Sequence, residues 1–284
     1  MPVPEDDLQL LLRAADAAGH EALRFWRRAP RSWEKAGDAG PVSEADLAVD
    51  AALRHHLARQ RPDYGWLSEE TPDDLARLGR EQVFVVDPID GTRSFLEGEA
   101  SFAISLAVIT AGRVTAAVVH LPARHLTYAA HEGGPAMRNG ELIQASRRAA
   151  LAGAEVLTTR ASLSPADWPG GVPEVRRNYR PSLAWRLCLA AEGRFDAMLT
   201  LRDTWEWDGA AGALIAERAG CAVSDRHGAA LCFNRPLPKL AGIVAAPPAL
   251  SEQMMAGLGE AGAGRAAAGL SLPGHPRRGR DPAG

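Results

Sequence analysis

Cysteine is scarce in this 284-residue chain. Cys188, Cys221 and Cys232 lie far apart among apolar neighbours, and none belongs to a CxxC pair. That excludes a zinc ribbon and a disulfide framework, and it predicts buried, reduced thiols in a reducing compartment. No apolar run approaches the roughly 18–20 residues that span a bilayer. The first residues, MPVPEDDLQLLLRAAD, carry acids where a secretory signal needs positive charge. A cytoplasmic protein without membrane contact is expected. A basic excess is also missing. The formal charge of −3 argues against a nucleic acid polymer or an anionic lipid surface as partner. Any anion must then be held locally, by a metal ion or a helix end. Lysine is almost absent: only Lys35 and Lys239 occur among 32 basic residues, which singles out Lys35. What remains, 46% hydrophobic and 24% charged residues without internal repeat, is the balance of an ordinary globular protein.

The chain divides by pattern. Residues 5–28 place Leu8, Leu11, Ala15, Ala18 and Ala22 near helical spacing after Pro4. After a Gly/Pro loop (36–41), Ser43 is placed to cap a second helix, with Leu47, Ala51 and Leu57 among its apolar positions. A strand at Tyr64–Leu67 leads to Glu69-Glu70, and Gln82–Val86 (QVFVV) reads as a strand buried on both faces that stops at Asp87-Pro88. Phe102–Thr110 and Arg113–Leu121 read as paired strands, and Asn139-Gly140 as a two-residue hairpin turn. Strands at Glu155–Thr159 and Asp196–Leu201 then alternate with helices at Ser182–Glu192 and Asp208–Ala219. The predicted organisation is an α+β half at residues 1–145, an α/β half at 146–256, and a disordered tail at 257–284.

The chemistry concentrates in Asp87-Pro88-Ile89-Asp90-Gly91-Thr92. A strand ending this way delivers two carboxylates to the sheet's carboxyl edge, where open α/β sheets place ligands. The residues that follow suit a short helix whose N–H groups bind an anion. Acids beside a phosphate repel it unless hard cations intervene, and Mg²⁺ takes oxygen ligands of this kind. Alone, the segment fits a turn equally well. Asp208 alone fits a residue favourable to a helix dipole, and Asp46 fits a capping box with Ser43.

Taken together, LSEET (67–71), VVDPIDGT (85–92) and WDGAAGALIAERAG (207–220) resemble the signature segments of the inositol monophosphatase superfamily, Mg²⁺-dependent and lithium-sensitive phosphomonoesterases. The resemblance covers about residues 5–250 and implies a layered αβαβα sandwich. By motif, it implies that Glu69, Asp87 and the Ile89 carbonyl hold one metal, and that Asp87 bridges to a second completed by Asp90 and Asp208, with two or three Mg²⁺ ions in all. It further implies that Gly91 and Thr92 give N–H groups to a phosphate, and that Asp46 and Thr92 activate the attacking water. Glu70 is expected to orient water or a ligand, and Lys35 to lie near the site. Homodimers are common among such relatives. The histidines, outside these motifs, read as surface or structural.

Which small phosphate ester is hydrolysed is written less clearly. Inositol-specific members resemble one another in carrying a glutamate seven residues before the motif aspartate, a position held here by Leu201, with Asp203 and Glu206 in a different register. A polyol would lose a hydrogen-bonding partner there. LSEE and the segment Arg186–Gly193 (RLCLAAEG) instead resemble CysQ-type 3′(2′),5′-bisphosphate nucleotidases. That resemblance favours adenosine 3′,5′-bisphosphate, with Arg186 approaching its second phosphate or else exposed on the helix. Arg160 and Arg180 are weaker candidates for the same task. Trp185, Trp205 and Trp207 are available to stack on a purine or simply to pack. Inositol 1-phosphate, histidinol phosphate or a sugar bisphosphate are the alternatives, and a non-catalytic metal- or anion-binding scaffold is a remote one.

Overall fold

The computed structural model describes residues 3–35 and 40–259. Helix α1 (Pro4–Phe25) starts on a proline with Glu5, Asp6 and Asp7 in its first turn, all favourable at the positive end of a helix. It ends three residues before the expected 28, because Arg27 and Ala29 take positive φ ahead of Pro30. Helix α2 (Glu44–Gln60) is capped by Ser43 as predicted. Its core stripe is Ala45, Val49, Leu53 and Leu57, whereas Leu47 and Ala51 face solvent, against expectation.

Both helices cover one face of a seven-stranded sheet with spatial order Gly65–Ser68, Gln82–Asp90, Ala103–Thr110, Arg113–Leu121, Leu126–His131, Met137–Arg138, Glu141–Leu142. The strand Gln82–Asp90 shows why the sheet is buried on both sides. Phe84 and Val86 join the core under α1 and α2, and Val83 and Val85 join the core on the opposite face, following the two-residue period of a strand. The strand does not stop at Asp87 as expected. It continues to Asp90 through a register shift between Asp87 and Asp90, with Pro88, which cannot donate to a ladder, inside the irregularity. Asn139 and Gly140 form the predicted turn at φ 51° and 82°.

The short helix α3 (Thr92–Leu96) follows Gly91. On the far face of the large sheet lie α4 (Leu183–Ala191) and α5 (Glu206–Arg218). They approach closely through small residues: a Cβ on Gly212 would fall 2.6 Å from Leu187 side-chain atoms. Beneath them a second sheet runs Arg176–Asn178, Glu155–Thr158, Ala197–Thr200, Ile243–Ala246, Ala222–Ser224. Its first three strands are parallel and the other pairings antiparallel. Helix α6 (Pro248–Leu258) closes the outer face. The layers therefore alternate α, β, α, β, α, the expected sandwich. Gly257 and Leu258 complete α6, while residues 260–284 of the expected tail, and 36–39 of the expected loop, lie outside the described residues. Among the described residues no helix is long and apolar enough to cross a membrane. Cys188 and Cys221 are buried, but Cys232 is exposed, which corrects the expectation for that thiol.

Candidate active site

The parallel pairing of Gly65–Ser68 with Gln82–Asp90 sets Ser68 opposite Val86, so Glu69 emerges beside Asp87. Helix α5 brings Asp208, in its first turn, to the same place. Carboxylate oxygens of Glu69, Asp87 and Asp208 all lie within 4.8 Å of one another. Asp87 is fully buried and one of its oxygens accepts the Ile89 N–H at 3.0 Å. Burial, then the charges of Glu69, Asp90 and Asp208, hold its carboxyl well above the ordinary range. Asp208 is raised in the same way, by burial and then by Asp90 and Glu69, against the pull of Arg202 and Arg186.

Asp90 lies outside that tight trio but within its field. Its Oδ2 accepts from Ser182 Oγ at 2.6 Å and from the Ala184 N–H at 2.7 Å, at the start of α4. Burial raises its carboxyl, and these bonds and the nearby Arg186 offset part of the rise.

Lys35 reaches across the acids, donating to Glu69 Oε1 and Glu70 Oε1, each at 2.7 Å. Burial works against its charge, yet the two glutamates hold it above the usual lysine value. Glu70 is pushed up to about 7, by burial above all. A cavity of ≈ 330 Å³ opens here, and the exposed side chains of Trp33 and Leu47 form part of its rim.

Asp46 forms the expected cap and also touches Thr92. Its Oδ2 accepts from the Ser43 N–H (2.8 Å) and from Ser43 Oγ (2.6 Å), forming the cap. Its Oδ1 faces Thr92 Oγ1 at 3.0 Å, and the Ile89 carbonyl lies 3.1 Å from the same hydroxyl. Burial raises the Asp46 carboxyl while the Ser43 and Thr92 bonds pull it back. Gly91, at φ 102°, permits the tight approach to the Ser101 carbonyl, 3.0 Å from where a Cβ would sit.

Arg186 is neither exposed nor bonded to a carboxylate. It is 2% exposed, its Nε donates weakly to the Ser182 carbonyl at 3.4 Å, and its buried Nη1 has no hydrogen-bond partner among the described residues. Arg180 turns to the Tyr179 carbonyl and the Phe195 ring, and Arg160 is exposed at the head of a short 3₁₀ turn. Trp205 and Trp207 stack on each other at 4.7 Å, and Trp185 is buried beneath Arg124. Trp185 therefore packs within the protein, whereas Trp205 and Trp207 are half-buried. Asp203 is paired with Arg226 at 2.8 Å, and Glu206 is fully buried on the Asn234 and Arg235 N–H groups. Ser182, Asp50 and Arg202 were not singled out from sequence. Ser182 had a readable signal, since it directly precedes the apolar run of α4 as a cap does.

Oxygen donors converging in one place, with the Thr92–Asp46 hydroxyl–carboxylate pair beside them, suit a hard divalent cation rather than a soft metal. Fold, site and comparisons together define a metal-dependent hydrolase of phosphate monoesters. The sequence model described as "Inositol monophosphatase family" matches residues 5–262, and the chain belongs to that family. It is 36% identical over 202 residues to an inositol-1-monophosphatase of Rhizobium meliloti (strain 1021), covering 68% of this chain and 74% of the relative. It is 30% identical over 261 residues to a histidinol-phosphatase of Chlorobaculum parvum, covering 89% and 96% respectively. Among solved structures, the Thermotoga maritima IMPase superposes with TM-score 0.78 at 26% identity, over 90% of this chain and 98% of that one.

Proposed function

We propose that the protein is a Mg²⁺-dependent phosphomonoesterase in which Glu69, Asp87, the Ile89 carbonyl, Asp90 and Asp208 hold two or three ions. The convergence of Glu69, Asp87 and Asp208 within 4.8 Å is the observation that carries this reading. Repelling carboxyls held above their ordinary values need positive charge among them, and among the described residues Lys35 pairs only with Glu69 and Glu70. When bound, such ions neutralise a phosphate and acidify nearby water.

The chain's own groups do the rest. The Thr92 hydroxyl has one proton and gives it to Asp46 or to the Ile89 carbonyl, leaving a lone pair to receive a hydrogen bond from water. As that water's oxygen closes on phosphorus from the side opposite the leaving oxygen, the ester P–O bond breaks, the water's proton moves through Thr92 toward Asp46, and the departing alkoxide takes a proton from solvent water. Ser43 holds Asp46 in place for this task. Glu70 orients the water, and the Gly91 and Thr92 N–H groups hold phosphate oxygens.

The favoured substrate is adenosine 3′,5′-bisphosphate. Support comes from Leu201 where an inositol-reading acid would stand, and from the Arg186–Gly193 segment, whose Arg186 Nη1 is buried without a hydrogen-bond partner among the described residues, in the field of Asp90 and Asp208, and would have to be uncovered to meet a second phosphate. The names of the relatives favour a second reading, in which inositol 1-phosphate or histidinol phosphate is hydrolysed by the same chemistry. Lithium inhibition, a cytoplasmic setting suited to three free thiols, and a homodimer complete the proposal.

One panel tests it. Phosphate release is measured with Mg²⁺, with and without lithium, from adenosine 3′,5′-bisphosphate, inositol 1-phosphate, histidinol phosphate and fructose 1,6-bisphosphate. The highest kcat/KM is expected for the nucleotide, and Arg186→Gln should raise its KM selectively. Preference for inositol 1-phosphate would overturn the substrate alone. No turnover of any ester would overturn the whole reading and leave a binding scaffold.

A further inference from the structure

We propose that Asp50 is a positioning residue for Glu69 and Glu70, so that one face of α2 sets both acidic motifs. The inference rests on the metal-dependent reading above. Asp50 lies one turn beyond Asp46 on the same helix face and is buried, 8% exposed. Its two oxygens grip residues on either side of the glutamate pair. Ser68 Oγ donates to Oδ1 at 2.5 Å and Thr71 Oγ1 donates to Oδ2 at 2.8 Å. Each hydroxyl then accepts in turn: the Glu70 N–H points to Ser68 Oγ, and Trp66 Nε1 to Thr71 Oγ1, both at 3.3 Å. The Trp66 ring meets Phe84 edge-on, within the strand that carries Asp87.

Like charges make such a bracket necessary. Glu69 faces Asp87 and Asp208 within 4.8 Å, and the repulsion that Lys35 does not offset drives the Glu69–Glu70 turn outward. Hydrogen bonds to an ionised acceptor are the stronger kind, and a carboxylate, which only accepts, orients both hydroxyls to receive the backbone and indole donors. An asparagine amide would present N–H to one hydroxyl that already receives a donor. None of the ion pairs among the described residues includes Asp50, so its charge is answered by these hydroxyls rather than by a guanidinium or ammonium group. Thus Asp46 fixes Thr92 while Asp50 fixes the glutamates, from adjacent turns of α2.

The test compares full-length wild type with Asp50→Asn, Thr71→Val and the double variant. Mg²⁺ binding is followed by calorimetry, turnover is measured against Mg²⁺ concentration, and thermal unfolding is run in EDTA. For Asp50→Asn the Mg²⁺ dissociation constant should rise about 10-fold, as for other groups that orient ligands, with kcat at saturating Mg²⁺ within about twofold. Thr71→Val should move in the same direction, and the double variant should be no worse than Asp50→Asn. An unchanged Mg²⁺ constant accompanied by a lower unfolding temperature, or by a lower kcat, would overturn the proposal. If Asp50→Asn does not fold, Thr71→Val alone decides, by the same criterion. Wild type that takes up no Mg²⁺ would refute the metal-dependent reading and this inference with it, whereas unaltered variants of a Mg²⁺-binding wild type refute this inference alone.

Discussion

Replacing Asp208 by asparagine is expected to stabilise the metal-free protein and to abolish its response to magnesium. Asp208 lies within 4.8 Å of both Glu69 and Asp87. Lys35, 2.7 Å from Glu69, offsets one of these charges, leaving Asp87 as the uncompensated like charge at that distance, with Asp90 adding to the repulsion. At an effective dielectric near 20, that separation corresponds to about 3.5 kcal/mol of repulsion. Partial solvation and proton uptake reduce the recoverable part to about 2 kcal/mol, which corresponds to an unfolding temperature higher by about 4–8 °C. The folded carboxyls of Asp87 and Asp208 sit above their unfolded values. Their penalty is therefore absent well below about pH 4, where both states are protonated, grows as pH rises from the unfolded value toward the folded ones, and is complete above them. Scanning calorimetry in EDTA should show the variant and wild type converging near that acid limit and separating at pH 8. Magnesium at a hundred times its dissociation constant should then stabilise wild type by about 2.7 kcal/mol and leave the variant unmoved, inverting their order. A variant less stable than wild type in EDTA at pH 8, or one that still responds to magnesium, would refute the reasoning.

Other perturbations separate chemistry from scaffold. Thr92→Val should lower kcat by about 100-fold or more while calorimetry finds Mg²⁺ binding retained, because only the proton path to Asp46 is lost. Ser43→Ala removes the helix cap and one of the bonds holding Asp46; urea unfolding should report a loss of about 1 kcal/mol, and steady-state assays a fall in kcat as well. Gly212→Val should destabilise the fold by about 1–3 kcal/mol in the same urea assay, since the added carbons meet Leu187 where α4 and α5 touch.

Local signals were legible in the sequence wherever one element decides the outcome. Ser43 announced its helix, Asn139-Gly140 its turn, and QVFVV a strand with two buried faces. The meeting of Glu69, Asp87 and Asp208 was readable only through motif resemblance, because no spacing rule says that a helix begun far downstream returns to that sheet edge. Leu47 and Ala51 misled because α2 has an apolar stripe at Ala45, Val49, Leu53 and Leu57, and the true face depends on which side the sheet lies. The strand beyond Val86 was missed because a proline ordinarily argues against a ladder, and here the irregularity absorbs it. Arg186 carried an overlooked clue. It is the lone charge in LAWRLCLAA, and a helix apolar on every side is buried, so its arginine is buried too. Asp50 gave no such hint, since its partners, Ser68 at a strand end and Thr71 in the loop beyond it, take positions that only the folded sheet defines.

The bonds from Ser182 and Ala184 to Asp90 constrain any rebuilding of this enzyme. An acid supplied by the large sheet serves as the anchor for a helix that belongs to the other side of the molecule. A chimera that borrows its downstream portion from a relative with different tastes must therefore bring a hydroxyl and a free amide to that same spot. Swapping for specificity is thus confined to surfaces that leave this handshake untouched.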